Sequence, residues 1–325
     1  MTAMNRLNEA IERYGEWTAM SIKLADGAYT REQAPDHRLK RLLQVCNDLV
    51  CKPLSECRVL DLACLEGHYA IEFARHGSDV VGIEGRAEGV AKCDFVKAEL
   101  GLTRAAFYHD DVRNLSARKY GEFDIVICSG LIYHLQAQDA WKLIRDMYTV
   151  CRGIVLIDTF VALAGRERVE VDGSTYYGHV YGEHSDTETA AEKQKKRWAS
   201  LDNNTSFWFT EPSLLNLLAR AGFTTTLDVL TPTMPGNLRD RKTYIVVKGK
   251  PATVLTSDET QRHPHADIPE GLNPRIDPSQ IQRGALFLAA KRILPQGVKD
   301  AIKPALRALK LLPPDGTPQF QRKSE

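Results

Sequence analysis

The sequence predicts an α/β protein with a doubly wound, mostly parallel sheet. Between residues 58 and 158, short apolar runs alternate with amphipathic helical patterns, which is typical of parallel strands joined by helices. The chain has 325 residues, 43% of them hydrophobic and 26% charged, so it is long enough for a full core in one large or two small domains.

The central stretch is residues 58–85, a strand, a tight turn, a helix and a second strand. Val59, Leu60 and Leu62 form an apolar run around Asp61, and the second strand closes with Glu84. In such sheets ligands bind beyond the carboxyl ends of the strands. The turn and helix N-terminus can face an anion, and the closing acid can accept hydrogen bonds from ribose hydroxyls. Two cofactor classes use this layout, dinucleotides and S-adenosylmethionine.

The remaining elements follow in order. The predicted helices are 4–15, 37–50, 87–100, 139–151 and 211–221, and the further strands are 105–109, 124–129 and 153–158. Thr210 is suited to cap the last helix, Pro212 stands in its first turn, and Gly222 ends it.

A dinucleotide site is typically marked by G-x-G-x-x-G, and the turn after the first strand has no such spacing. Asp61-Leu62-Ala63-Cys64-Leu65-Glu66-Gly67 instead resembles the first motif of class I S-adenosylmethionine-dependent methyltransferases, an acid, any residue, then Gly-x-Gly-x-Gly. Ala63 and Leu65 depart from that pattern. Asp110-Asp111-Val112 and the run from Phe123 to Gly130 resemble later motifs of the same family, in the same order.

The resemblance covers about residues 55–250 and implies a seven-stranded, Rossmann-like methyltransferase fold. The strands 224–230 and 243–247 would form its closing antiparallel edge. Gly130-Leu131-Ile132-Tyr133-His134 is also similar to the subgroup that includes the wobble-uridine carboxymethyl transferases. The implied cofactor-binding residues are Asp61, Ala63, Cys64, Gly67, Glu84, Gly85, Asp111, Val112, Ser129 and Gly130.

Those residues would divide the cofactor between them. Asp61 would fix the turn and the amino group of S-adenosylmethionine, and Glu84 the ribose. Asp111 and Val112 would hold the adenine, and Ser129 and Gly130 would line the path to the methyl group.

His134 is the candidate general base, because it follows the fourth strand and an unperturbed imidazole accepts a proton near neutral pH. The alternative is a histidine that caps the next helix or binds a backbone carbonyl. Tyr133 would orient the acceptor or the cofactor, or pack in the core. His179, Glu183 and His184 also suggest a metal, but their spacing fixes no third ligand, and we predict no metal site.

Four segments surround or extend the predicted catalytic domain, residues 56–250. Residues 1–55 would be a lid over the cofactor or a helix packed on the sheet edge. Residues 160–206 would be a substrate lid, or a surface hairpin with a solvated helix. Residues 251–280 read as a linker. Residues 281–325 would be a basic amphipathic tail that lies on a membrane surface or packs on the catalytic domain.

The charge balance and the cysteine content indicate which acceptor and which cellular compartment to expect. Residues 1–250 contain 32 Lys and Arg residues against 34 Asp and Glu, which favours a small-molecule or glycan acceptor over nucleic acid. One alternative is an RNA-modifying enzyme, which is favoured by the basic residues Lys193, Lys195, Lys196 and Arg197. A second alternative is a non-catalytic cofactor-binding or scaffold protein, if Leu65 closes the pocket. Seven cysteines without a C-x-x-C pair favour a cytoplasmic protein, peripheral at the inner membrane if the tail binds there.

Overall fold

A seven-stranded mixed sheet forms the centre of the computed structural model, which describes residues 3–33, 36–229, 240–250 and 255–256. The strands are β1 (Arg58–Leu62), β2 (Asp79–Glu84), β3 (Ala105–His109), β4 (Phe123–Ser129), β5 (Cys151–Phe160), β6 (Glu167–Val171), β7 (Ser174–Gly182), β8 (Thr205–Phe209), β9 (Thr225–Asp228) and β10 (Arg241–Val247). The α-helices are α1 (Ala3–Tyr14), α2 (His37–Leu49), α3 (His68–Arg75), α4 (Ala87–Glu99), α5 (Ala117–Tyr120), α6 (Ala137–Val150), α7 (Ala190–Lys195) and α8 (Glu211–Ala221).

The strand order is β3-β2-β1-β4-β5-β10-β9. Strands β1 to β5 are parallel, whereas β10 runs antiparallel to both β5 and β9. The order reverses between β1 and β4, which is where ligands bind in doubly wound sheets. The predicted fold, including the antiparallel edge, is therefore confirmed.

Alternate residues of the central strands point to opposite faces of the sheet and contribute to two apolar cores. Leu60 and Leu62 of β1 face the core under α6 and α8, whereas Val59 faces the core under α2 and α3. In β4, Val126 joins the first core and Ile125 the second. This period of two is the expected geometry of a strand that is covered on both faces.

The stretch 160–206 contributes a second sheet of three antiparallel strands, in the order β6-β7-β8. Helix α7 lies between β7 and β8, and a capping box at Thr189 and Glu192 starts it. Phe207, Phe209 and Tyr176 are buried in the core under α6 and α8. The second sheet is thus packed onto the central sheet through this core.

The N-terminal segment packs against α4. Leu7 and Ala10 of α1 are buried with Val96 of α4, and Trp17 belongs to the same cluster. The ion pair of Arg6 with Glu99, at 2.7 Å, ties the two helices together. After Trp17 the chain crosses above the turn that follows β1, where Thr18 binds Glu66.

Two predictions lie outside the described residues, apart from residues 255–256: the linker 251–280 and the basic tail 281–325. None of the described helices is long and apolar enough to cross a membrane.

Candidate functional site

A cavity of about 510 Å³ opens at the carboxyl edge of the parallel strands. The predicted site residues that line it are Asp61, Ala63, Cys64, Glu84, Gly85, Asp111, Val112, Ser129, Gly130, Tyr133 and His134. Gly67 does not line the cavity and caps the N-terminus of α3 instead. The structure therefore brings the carboxylates of successive strand tips together around one cleft.

The turn after β1 keeps the backbone of a glycine motif without two of its glycines. Ala63 has φ +52°, Leu65 has φ +51° and Gly67 has φ +82°. Each non-glycine residue in this left-handed region costs about 1 kcal/mol. A replacement of Gly67 would strain the backbone and force Cys93 to shift, because a Cβ there would lie 2.8 Å from Cys93 Sγ. The sequence departures thus leave the shape of the turn unchanged.

Glu84 closes β2 and holds the same turn from below. Its carboxylate accepts the Leu65 N–H at 3.0 Å and the Arg86 N–H at 2.9 Å. Burial raises the pKa of Glu84, although the nearby Arg86 guanidinium and these N–H groups oppose the rise. An acceptor-rich group is therefore fixed in the cavity wall at the tip of β2.

Asp61 is 2% exposed and accepts the Ala70 N–H at 3.1 Å. Burial raises its pKa to about 7; the Ala70 hydrogen bond opposes this rise and the charge of Glu84 adds to it. A positive group beside Asp61 would reverse the effect of burial.

Asp111 follows β3 and caps the next short turn. It accepts the Arg113 N–H and the Arg113 Nε–H, both at 2.8 Å. The same guanidinium donates to Asp202 at 2.6 Å. This side of the cavity is thereby joined to the segment before β8.

His134 lies in the cavity wall, paired with a buried carboxylate. Its Nδ1 is 2.9 Å from Glu183 Oε1. Glu183 also accepts the Ser200 N–H at 2.9 Å and the Ser206 hydroxyl at 2.7 Å. Burial would raise the pKa of Glu183, but the His134 contact and these hydrogen bonds hold it below its ordinary value. An ionised Glu183 favours the proton on Nδ1, which leaves Nε2 to accept a proton.

Tyr133 stands beside a second buried ion pair. Its hydroxyl accepts from Arg241 Nη1 at 3.1 Å, and Arg241 Nε donates to Asp158 at 2.5 Å. Burial raises the pKa of Tyr133, so the hydroxyl stays protonated; Arg241 partly opposes the rise. Tyr133 also packs edge-on against Phe160, with ring centroids 4.9 Å apart.

Residues 18–21 and 197–203, which we call the roof, close the cavity from above. Both roof segments are bound by the buried carboxylate of Glu66 in the turn after β1. Glu66 accepts the Thr18 N–H at 2.9 Å and the Ala19 N–H at 3.0 Å. Arg197 donates to it at 3.1 Å, and Lys92 of α4 at 3.0 Å.

The three candidate metal ligands, His179, Glu183 and His184, each pair with a different partner in the structure. His179 pairs with Glu167, Glu183 with His134, and His184 with Glu188. Among the described residues no three His, Cys, Asp or Glu side chains are grouped to hold a metal ion.

Sequence reasoning did not identify the roles of Glu66, Glu183, Asp158 and Arg241. Asp158 was detectable in principle, because it lies near the end of a predicted parallel strand, where ligands bind. Glu183 lies in a segment without parallel-strand alternation, and Arg241 begins β10, which is antiparallel to both of its neighbours; no local pattern marks either residue.

Comparisons with known proteins agree with the geometry. Residues 59–153 match the family model described as a methyltransferase domain. The N-terminal domain of EvdMO1, solved in the presence of SAH and D-fucose, superposes with a TM-score of 0.59 at 22% identity, covering 76% of this chain and 96% of that one. At this identity the likeness shows the fold.

Curated relatives match over short stretches. The 23S rRNA (uracil(1939)-C(5))-methyltransferase RlmD of Shewanella sp. (strain W3-18-1) is 37% identical over 60 residues, 18% of this chain and 13% of the relative. The RlmD of Methylococcus capsulatus is 32% identical over 106 residues, 30% of this chain and 24% of the relative. The chain thus spans less than a quarter of these relatives.

The family match falls on β1 to β5, the strands whose tips form the cavity, and the full strand order agrees with it. The chain contains a methyltransferase domain of the class I, S-adenosylmethionine-dependent type.

Proposed function

We propose that this protein transfers a methyl group from S-adenosylmethionine to an oxygen or nitrogen of a small-molecule or glycan-type acceptor. The observation that carries the proposal is His134, which lines the same cavity as Asp61 and Glu84 and is paired with the buried Glu183. A cofactor cradle and a candidate base therefore share one enclosed space.

The described residues fit the cofactor. Glu84 would accept the ribose hydroxyls, Asp111 and Val112 would hold the adenine, and Asp61 would accept from the amino group. Ala63, Cys64 and Leu65 of the left-handed turn line the cavity, and the Leu65 N–H is held by Glu84. When bound, S-adenosylmethionine supplies a methyl group activated by its sulfonium. Ser129 and Gly130 would line the path to that methyl group.

His134 would remove the acceptor proton at Nε2, because its Nδ1 is directed to Glu183. Glu183 would hold the imidazole in place and stabilise its positive form once the proton has moved. Positioned acid–base groups of this kind contribute about 10²-fold to 10⁴-fold in rate. Tyr133, with its hydroxyl kept protonated, would orient the acceptor beside Arg241.

The cavity size favours a small acceptor. Its volume of about 510 Å³ is typical of small-molecule sites. The EvdMO1 domain was crystallised in the presence of SAH and the monosaccharide D-fucose, so saccharides are the first acceptors to test.

The RlmD matches favour an RNA acceptor as a second candidate. The basic run at 193–197 gives it little support, because three of its four basic side chains bind groups within the protein. Lys193 donates to Asn204, Lys196 pairs with Glu188, and Arg197 binds Glu66. RNA binding that weakens steeply with salt would favour this alternative.

Calorimetry with S-adenosylmethionine and a transfer assay with labelled methyl donor test the proposal. Wild type should bind the cofactor, and a panel of monosaccharides and glycosides should contain a methylated member. His134→Asn should keep cofactor affinity and lose about 10²-fold or more in transfer rate. His76→Asn, a change at an exposed histidine, is the matched control. Absent cofactor binding would refute methyl transfer, and an active His134→Asn enzyme would refute the assigned base.

A further inference from the structure

Arg38, Tyr133, Asp158 and Arg241 form a group that we call the arginine corner. It lies at the tips of β5 and β10, on the opposite side of β4 from the ends of β2 and β3. A Cβ on Gly130 would lie 3.7 Å from both Arg241 Nη2 and Tyr133 Oη. The corner therefore borders the predicted methyl path on the side away from the ribose and adenine positions.

The corner carries more positive than negative charge. Asp158 accepts from Arg241 and from the Thr243 hydroxyl, and Arg38 Nη1 lies 3.7 Å from the same carboxylate. Within the corner, two guanidinium groups face one carboxylate. Asp36, in the same cavity wall, already caps α2 and lies 3.4 Å from His68 Nδ1.

The donors of the corner are fixed before any ligand arrives. The Arg241 guanidinium is more than nine-tenths buried and lies 4.6 Å from the centroid of the Phe160 ring. Tyr133 accepts from Arg241, so its own hydrogen can point to a further acceptor. The buried Tyr69 hydroxyl lines the same wall, and its interaction with Ser129 falls short of normal hydrogen-bond geometry.

We infer that the arginine corner binds a carboxylate of the acceptor, so that the preferred acceptor is an acid rather than its neutral analogue. A planar guanidinium with a neighbouring hydroxyl donor suits the planar, two-oxygen geometry of a carboxylate. The inference rests on the proposed methyl transfer. The carboxylate of the cofactor's own methionine part has the same chemistry, and the test separates the two sources.

The test uses the full chain saturated with SAH, and benzoate with benzamide as a matched pair of probes. Binding is followed by NMR titration. Arg38→Met and Tyr133→Phe are the main variants, because Arg241→Met leaves Asp158 buried without its closest partner and could disturb folding. Arg241→Met is added if it folds, and Arg152→Met, at an exposed arginine, is the control.

Benzoate should bind wild type at least tenfold more tightly than benzamide, and each corner variant should reduce that preference at least threefold, with no change in Arg152→Met. SAH affinity should stay within twofold of wild type in Tyr133→Phe and Arg241→Met. Equal binding of the two probes would overturn the inference while leaving methyl transfer intact. Competition between benzoate and SAH would assign the corner to the cofactor's carboxylate and overturn it too. Failure of wild type to bind SAH would instead refute the proposed function.

Discussion

The affinity for S-adenosylmethionine should increase with pH between pH 6 and 7.5 because of Asp61. In the ligand-free protein, burial raises the pKa of this carboxyl to about 7. The amino group of the cofactor, placed beside it, favours the charged carboxylate. Binding at low pH must therefore release a proton from Asp61, and the release weakens the observed affinity.

The size of this change in affinity follows from the pKa of Asp61 in the free protein. We take the pKa of Asp61 in the complex to lie well below 6, so that only the free protein carries the proton. The apparent dissociation constant is then multiplied by one plus the ratio of protonated to ionised Asp61 in the free protein. Between pH 7.5 and 6 this factor rises about eightfold, or about 1.2 kcal/mol. The range ends at pH 7.5 because α-amino groups titrate near about pH 8.

Calorimetry at pH 6, 6.5, 7 and 7.5 measures the affinity, and buffers of different ionisation enthalpy count the protons released. Asp61→Asn should bind more weakly at pH 7.5 and show no such slope, since the amide does not titrate. Asp79→Asn, at a half-exposed carboxylate on β2, should keep the wild-type slope. A flat affinity for wild type, or a slope that persists in Asp61→Asn, would refute the assigned role of Asp61.

Three further substitutions test the turn after β1, the position of the Glu84 carboxylate and the roof. Leu65→Gly should raise the free energy of unfolding by about 1 kcal/mol in urea titrations, because glycine adopts the φ of +51° without strain. Gly89→Ala should weaken cofactor binding about tenfold in calorimetry, because the new Cβ would lie 2.7 Å from Leu65 O and 2.8 Å from Glu84 Cγ and displace both the turn and that carboxylate. Glu66→Gln should expose the Thr18 and Ala19 amides to hydrogen exchange and speed SAH release at least tenfold in stopped-flow experiments, because Lys92 and Arg197 lose their shared carboxylate.

Two of these changes have a control variant in the chain. Gly182→Ala meets no atom within 4 Å and should leave cofactor affinity unchanged. Glu72→Gln, at a half-buried carboxylate on α3 that pairs with His76, should leave SAH release unchanged. A less stable Leu65→Gly protein would show that the leucine side chain stabilises the fold by more than its backbone costs. Unchanged exchange in Glu66→Gln would show that the roof is held by other contacts.

The sheet and the cofactor half of the site could be predicted because their signals are local. Alternation of strand and helix is written in consecutive residues, and parallel strands bring Asp61, Glu84 and Asp111 to one edge whatever the details of packing. The parallel registers of β1 with β2 and of β2 with β3 agree with this.

The acceptor half could not be predicted, because its contacts join distant parts of the chain. His134 and Glu183 are 49 residues apart, and Glu66 and Arg197 are 131 apart. The pairing of His134 depends on how the sheet of β6, β7 and β8 packs against the turn after β4, where the Phe207 N–H donates to Leu135 O. No periodicity around Glu183 marks it as the partner, so the same residue also fitted a metal hypothesis with His179 and His184.

The turn after β1 shows why a missing glycine pattern does not exclude a cofactor site. A glycine motif reports a backbone conformation, and this chain reaches that conformation at Ala63 and Leu65 at a cost of about 1 kcal/mol each. The Leu65 N–H donates to the buried Glu84 carboxylate, and a hydrogen bond to a charged group contributes about 1.5 to 3 kcal/mol. That single bond is large enough to offset the strain. Glu84 would then serve twice, as ribose acceptor and as support for the turn, so Glu84→Ala should lower both cofactor affinity and stability.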